Sequence, residues 1–258
     1  TTTSADGTGN CTVGVAVPVA SFDDNCSSTL TWEMTGDVSA TGSGQVGTYT
    51  FPIGTVTITY TNTDGAGLTD TDTQTVTVTD DEAPTVTAGA PVVTTSSADG
   101  TGNCTVDVAV PVASFDDNCS STLTWEMTGD VSATGSGQVG TYTFPIGTVT
   151  ITYTNTDGAG LTDTDTQTVT VTDDEAPTVT AGAPVVTTSS ADGTGNCTVD
   201  VAVPVASFDD NCSSTLIWEM TGDVSATGSG QVGTYTFPVG TVTITYTNTD
   251  GAGLTDTD

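Results

Sequence analysis

The chain repeats itself every 93 residues, and that period limits what it can become. Cys11, Cys104 and Cys197 stand 93 residues apart, as do Trp32, Trp125 and Trp218. The copies differ at few positions: Gly14 against Asp107 and Asp200, Thr31 and Thr124 against Ile217, Ile53 and Ile146 against Val239. Solenoid coils repeat at about 20–50 residues, and one such coil cannot bury a core alone. A longer period suits a self-contained β domain, so the 258 residues read as nearly three small domains. The units run 1–82, 83–175 and 176–258. The first begins without the Glu-Ala-Pro entry found at Glu82 and Glu175, and the third stops before its last strand pattern. The chain is expected to be a slice of a longer array.

Within each unit apolar residues alternate with polar ones, and no helical period competes. Val13, Val15, Val17 and Val19 alternate with Gly14, Ala16 and Pro18, and Leu30, Trp32 and Met34 with Thr31, Glu33 and Thr35. Val56, Ile58 and Tyr60 alternate with threonines, as do Val76 and Val78. Pro18 falls in the polar register, which suits an edge or a bulge. Gly-rich turns separate these runs, at 42–44, 51–54 and 64–67, and the entry patterns at 85–88 and 91–94 add two more strands. About seven short strands per unit predict an all-β chain of tandem immunoglobulin-like β-sandwich repeats, arranged as an elongated rod. The apolar faces, Trp32 included, are the expected core.

Charge excludes whole classes of function. There are 32 acidic residues and no Lys, Arg or His. No cation is present to meet a phosphate, so nucleic acid is not an expected partner. Attraction to an anionic membrane surface fails for the same reason, and no apolar run is long enough to insert. Catalysis would rest on carboxylates alone, with no pocket implied, so an enzyme is not expected. Such a chain repels itself unless counter-ions neutralise it.

Four motifs resemble a known module. Asp24-Asn25-Cys26-Ser27, the run from Thr50 to Tyr60, Thr63-Asp64-Gly65-Ala66-Gly67 and Val76-Thr77-Val78-Thr79-Asp80 are similar to the hyalin repeat, an immunoglobulin-like module of extracellular proteins. The Cys11 and Cys26 pattern in near-identical arrays looks like the versions in giant cell-surface adhesins and gliding proteins of Bacteroidetes. Asp64-Gly65-Ala66-Gly67-Leu68 stands where the module has Asp-Ala-Ala-Gly-Asn. The resemblance implies an extracellular structural stalk or filament at a bacterial cell surface, supporting adhesion or gliding.

Sandwich topology gathers scattered acids. The hinge from the preceding unit and two loops of the next one meet at the entry end. That should set Asp80, Asp81 and Glu82 against Asp116, Asp117 and Asn118, with Asp157 close by. At the next joint Asp173, Asp174 and Glu175 should face Asp209, Asp210 and Asn211, with Asp250. Ca²⁺ takes six to eight oxygens from such groups, whereas Mg²⁺ demands a tighter octahedron, so Ca²⁺ is the expected structural ion. Solvated turn residues are the competing reading, because Asp and Asn favour turns anyway.

Six cysteines, two per unit with no CxxC, read as disulfides of an oxidising space. Cys11 with Cys26 closes a loop of ordinary size and is the favoured pairing, with Cys104–Cys119 and Cys197–Cys212 as its equivalents. It requires the loop 21–25 to fold back, because a straight strand from Cys11 to Val19 holds the two cysteines apart. One alternative, Cys11–Cys119 and Cys104–Cys212, staples neighbouring units, and free thiols are the other. The expected partners are neighbouring units of the same chain and other copies of the filament. A second functional reading makes the repeats themselves adhesive, towards glycans or, through outward threonine rows, ice. A third bundles chains laterally into a fibre.

Overall fold

Threonine and valine suit a pleated, half-buried surface, and their alternation becomes strand throughout the computed structural model. It describes residues 2–3, 11–97, 103–189, 193 and 197–258. The described residues of the second unit form nine strands: β1 (Thr85–Thr87), β2 (Val92–Thr95), β3 (Thr105–Ala109), β4 (Ser114–Asp116), β5 (Ser121–Gly129), β6 (Ala133–Ser136), β7 (Thr141–Pro145), β8 (Gly147–Asp157) and β9 (Thr162–Thr172). One sheet has the order β6-β5-β8-β9-β2; opposite it β3 pairs with β7 and β4 with β1. Among the described residues of this unit only β2 and β9 pair in parallel.

The fold class is as the alternation predicts, and the two entry patterns form β1 and β2, separated by Gly89, Ala90 and Pro91. The strand expected to run on to Val112 stops at Ala109, before Pro111, and β4 forms in the segment expected to be loop. Proline cannot donate to the ladder, which is why the chain leaves its partner there. In the first unit Val17 is buried whereas Val19 is 77% exposed. The valine face therefore ends at Pro18 and does not run on to Val19.

Val106, Val108 and Phe144 from one sheet meet Met127, Ile151, Tyr153, Val169 and Val171 from the other, and all are buried. Trp125 takes its expected inward register but is only half-buried, at the flank of this core. Its ring lies over Gly135, its register partner on β6, where any side chain would collide with the indole. Gly135→Val is accordingly expected to cost about 1–3 kcal/mol as overpacking, read as a lower denaturation midpoint with a shifted Trp emission. An unchanged midpoint would show that β6 can move away freely.

Strand directions decide what meets at a joint. Asp116 pairs with Thr85, so the loop after β4 returns to the entry end. Ser121 pairs with Asp157, which brings the β8–β9 turn to the same end. Cys104, at the start of β3, lies at the opposite end. The described residues of the first and third units form only parts of this frame. Residues 21–23, equivalent to β4, are not strand in the first unit. Residues 185–188, equivalent to β2, are irregular, and the last strand of the third unit is the short Thr255–Thr257.

Candidate metal site and staples at the joints

The hinge leaves the strand Thr69–Thr79 and is anchored by Pro84, which is buried against the second unit; Pro177 is buried in the same way at the next joint. Asp80 Oδ1 accepts from the Glu82 backbone N–H at 3.3 Å and, across the joint, from Asn118 Nδ2 at 3.4 Å. Asp117 Oδ2 accepts from the Cys119 N–H at 3.2 Å. Asp157 Oδ1 closes the β8–β9 turn, accepting from Ala159 at 2.9 Å and Leu161 at 2.7 Å. Asp117 and Asp157 thus each give one oxygen to their own turn.

Three acids at each joint have an oxygen with nothing to accept. Glu82 Oε2, Asp117 Oδ1 and Asp157 Oδ2 are buried without a hydrogen-bond partner, and so are Glu175 Oε2, Asp210 Oδ1 and Asp250 Oδ2 at the second joint. Asp157 and Asp250 are each only 7% exposed. A buried charge without a partner is costly, and this chain has no cationic side chain to supply one. Burial first, and then the charges of Asp80 and Asp157, push the Asp117 carboxyl above its usual range against the N–H groups of Cys119 and Asn118. Asp210 is raised likewise by burial and by Asp173 and Asp250. Asp64, the equivalent of Asp157 in the first unit, is only half-buried.

Not every predicted ligand arrives. Asp174 turns back to the second unit, accepting from Ser97 Oγ at 2.7 Å and Ser97 N–H at 3.2 Å, and these bonds hold its carboxyl below the usual range. Asp173 shares that contact through Ser96 Oγ at 3.1 Å. Asp81 is exposed, and Asp116 and Asp209 point outward from their strands. Asp80, Glu82, Asp117, Asn118 and Asp157 remain as the convergent set, with Asp173, Glu175, Asp210, Asn211 and Asp250 at the second joint. Among the described residues no group of three or more His, Cys, Asp or Glu is set to hold a metal ion as it stands. The unpartnered oxygens fit a hard cation by their chemistry and burial.

Asn155 and Asn248 escaped the sequence reading. Each is fully buried, and Asn155 Nδ2 donates to the carbonyls of Thr85 at 3.1 Å and Asp116 at 3.4 Å, holding entry strand and loop together. Asn248 repeats the arrangement with Thr178 and Asp209. The signal was available: Asn155 continues the inward register of Ile151 and Tyr153. Asp163 and Asp165 likewise accept from the N–H groups of Val86 and Ala88, and Gln167 Nε2 donates to Ala90 O.

The cysteines overturn the favoured pairing. Cys11 is bonded to Cys119 and Cys104 to Cys212, with Cα atoms 4.8 and 5.0 Å apart, while Cys26 and Cys197 are free and exposed. The extended segment between the two cysteines of a unit sends them to opposite ends of the sandwich. The four that pair therefore do so with a neighbouring unit.

No protein family and no curated protein matches the chain, so the hyalin-repeat likeness stands on the motifs quoted above. Among solved structures, a tetra-tandem repeat from the extending region of a large adhesion protein is 20% identical, with a TM-score of 0.38. It covers 90% of this chain, which spans 66% of that one. A Ca²⁺-stabilised adhesin that helps an Antarctic bacterium bind ice is 19% identical over 90% of this chain and 63% of its own, with a TM-score of 0.27. The first five extracellular domains of protocadherin gamma B2 are 12% identical, over 96% of this chain and 54% of theirs, with a TM-score of 0.37. Likeness at this level transfers no function. The described residues contain no helix long and apolar enough to cross a membrane.

Proposed function

We propose that this chain is a stretch of an extracellular, load-bearing stalk that holds an adhesive or gliding surface protein away from its cell. Its building blocks are the units 1–82, 83–175 and 176–258, and its joints are stiffened by Ca²⁺ and by disulfides. One observation carries the reading: at each joint, carboxylate oxygens from two consecutive units are buried without partners, in a chain that has no cationic side chain. Asp80, Glu82, Asp117, Asn118 and Asp157 would hold the ion at the first joint, and Asp173, Glu175, Asp210, Asn211 and Asp250 at the second. Ca²⁺ supplies the missing positive charge and accepts the flexible, many-oxygen coordination that such a set offers. Asp157 and Asp117 are fixed by their own turns, so a hinge bound to them cannot swing.

The role is mechanical, not enzymatic. Solution scattering of the chain with saturating Ca²⁺ and then with chelator tests it. A rod that becomes more compact and flexible without the ion is expected; an equally extended and rigid profile in both would remove the ion from the reading. Binding of glycan or ice by the purified chain would favour adhesive repeats instead.

A further inference from the structure

The two cross-links interleave: Cys104 lies inside the loop closed by Cys11–Cys119, and Cys119 inside that closed by Cys104–Cys212. We infer that tension along the chain is carried by a covalent route that bypasses both hinges. It crosses from Cys11 to Cys119, returns along 15 residues to Cys104, and crosses again to Cys212. The main chain from Cys11 to Cys104, with the first hinge, lies off the taut path, and so does that from Cys119 to Cys212 with the second. This deepens the stalk reading and rests on it, because only a chain under load has a use for such a route.

The connecting segment suits the task. Between Cys104 and Cys119 lie β3 and β4, whose backbone is already extended, so tension finds little slack there. Each sheet partner, β7 for β3 and β1 for β4, can be stripped away without lengthening the route. Cys119 also directly follows Asn118 and lies two residues from Asp117. The bridge therefore keeps both halves of the ion site together while the stalk is pulled.

The route ends on two usable handles. Cys26 and Cys197 are free and exposed, at the positions equivalent to Cys119 and Cys104. From Cys26 to Cys197 the taut path has three 15-residue segments and two disulfides, against 171 residues of main chain. At about 3.4 Å per residue these extend to about 150 Å and about 580 Å. A unit whose core ruptures under load thus loses its fold but little of its length.

Force spectroscopy on the oxidised chain, held through thioether handles on Cys26 and Cys197, tests this. The oxidised chain is expected to reach a limiting length of about 150 Å, and the same molecule after reduction about 580 Å. The double variant Cys104→Ser/Cys212→Ser leaves one bridge and should stop at about 320 Å. Oxidised and reduced chains of equal limiting length would overturn the inference, as would failure of Cys26 and Cys197 to take the handles, since pairing within units would consume both thiols. The stalk reading fails separately: a chain inextensible under force yet flexible in scattering with Ca²⁺ bound would keep the route and lose the stalk.

Discussion

Removing one staple, by Cys11→Ser/Cys119→Ser, is expected to lower the stability of the first unit by about 2–5 kcal/mol, measured by urea denaturation in chelator. The bridge joins residues 108 apart in sequence, and chain entropy gives about 4.7 kcal/mol for closing a loop of about 100 residues. The effect acts on the unfolded chain, because neither cysteine belongs to the buried clusters around Met34 and Met127. The loss should therefore appear in the midpoint, with the third unit's transition unmoved. Equal midpoints for the two proteins would mean that the unfolded chain gains nothing from the open loop. The double exchange is preferred to Cys119→Ser alone, which would leave Cys11 as a stray thiol.

Asp157→Asn combined with Asp250→Asn is expected to have opposite effects with and without Ca²⁺. Asparagine keeps the Oδ1 that caps the β8–β9 turn, so the local fold survives, while the charge beside Asp117 disappears. In chelator that relieves repulsion and the joint gains a little stability. With Ca²⁺ it removes a ligand, and affinity should fall about tenfold or more, which corresponds to about 1.4 kcal/mol. An ion present at a hundred times its Kd stabilises by about 2.7 kcal/mol, so the loss is visible in thermal melts. Loss of stability in chelator as well would mean that the charge itself supports the fold.

Acidity provides the same contrast in the unmodified chain. Asp117 and Asp210 have raised pKa values, so the folded chain binds these protons more tightly than the unfolded chain does. Without Ca²⁺ the penalty present at neutral pH is relieved as pH falls through the raised values, and this contribution to stability increases. With Ca²⁺ bound, protons compete for the same oxygens and the joint weakens over that window. Slopes of the same sign in both conditions would argue against an ion at these carboxylates.

Much of this protein follows from its sequence alone. The 93-residue period, the strands and the sandwich come from alternation, which is a local property of a pleated chain. The end at which Asp80, Asp117 and Asp157 meet follows too, since strand direction reverses at each turn and carries the loops back to the entry. Three things needed the tertiary structure. Asp174 leaves the acidic set because Ser97 lies within reach of its carboxyl, a contact between residues 77 apart in sequence. Asn155 becomes the tie between entry strand and loop only when both backbones pass its amide. The cysteine partners were the largest reversal: loop length favours Cys11–Cys26, but the extended segment between them spans the sandwich from end to end. Alternation says which residues face inward; which ends of two units abut is a non-local matter, and only the assembled joint decides it.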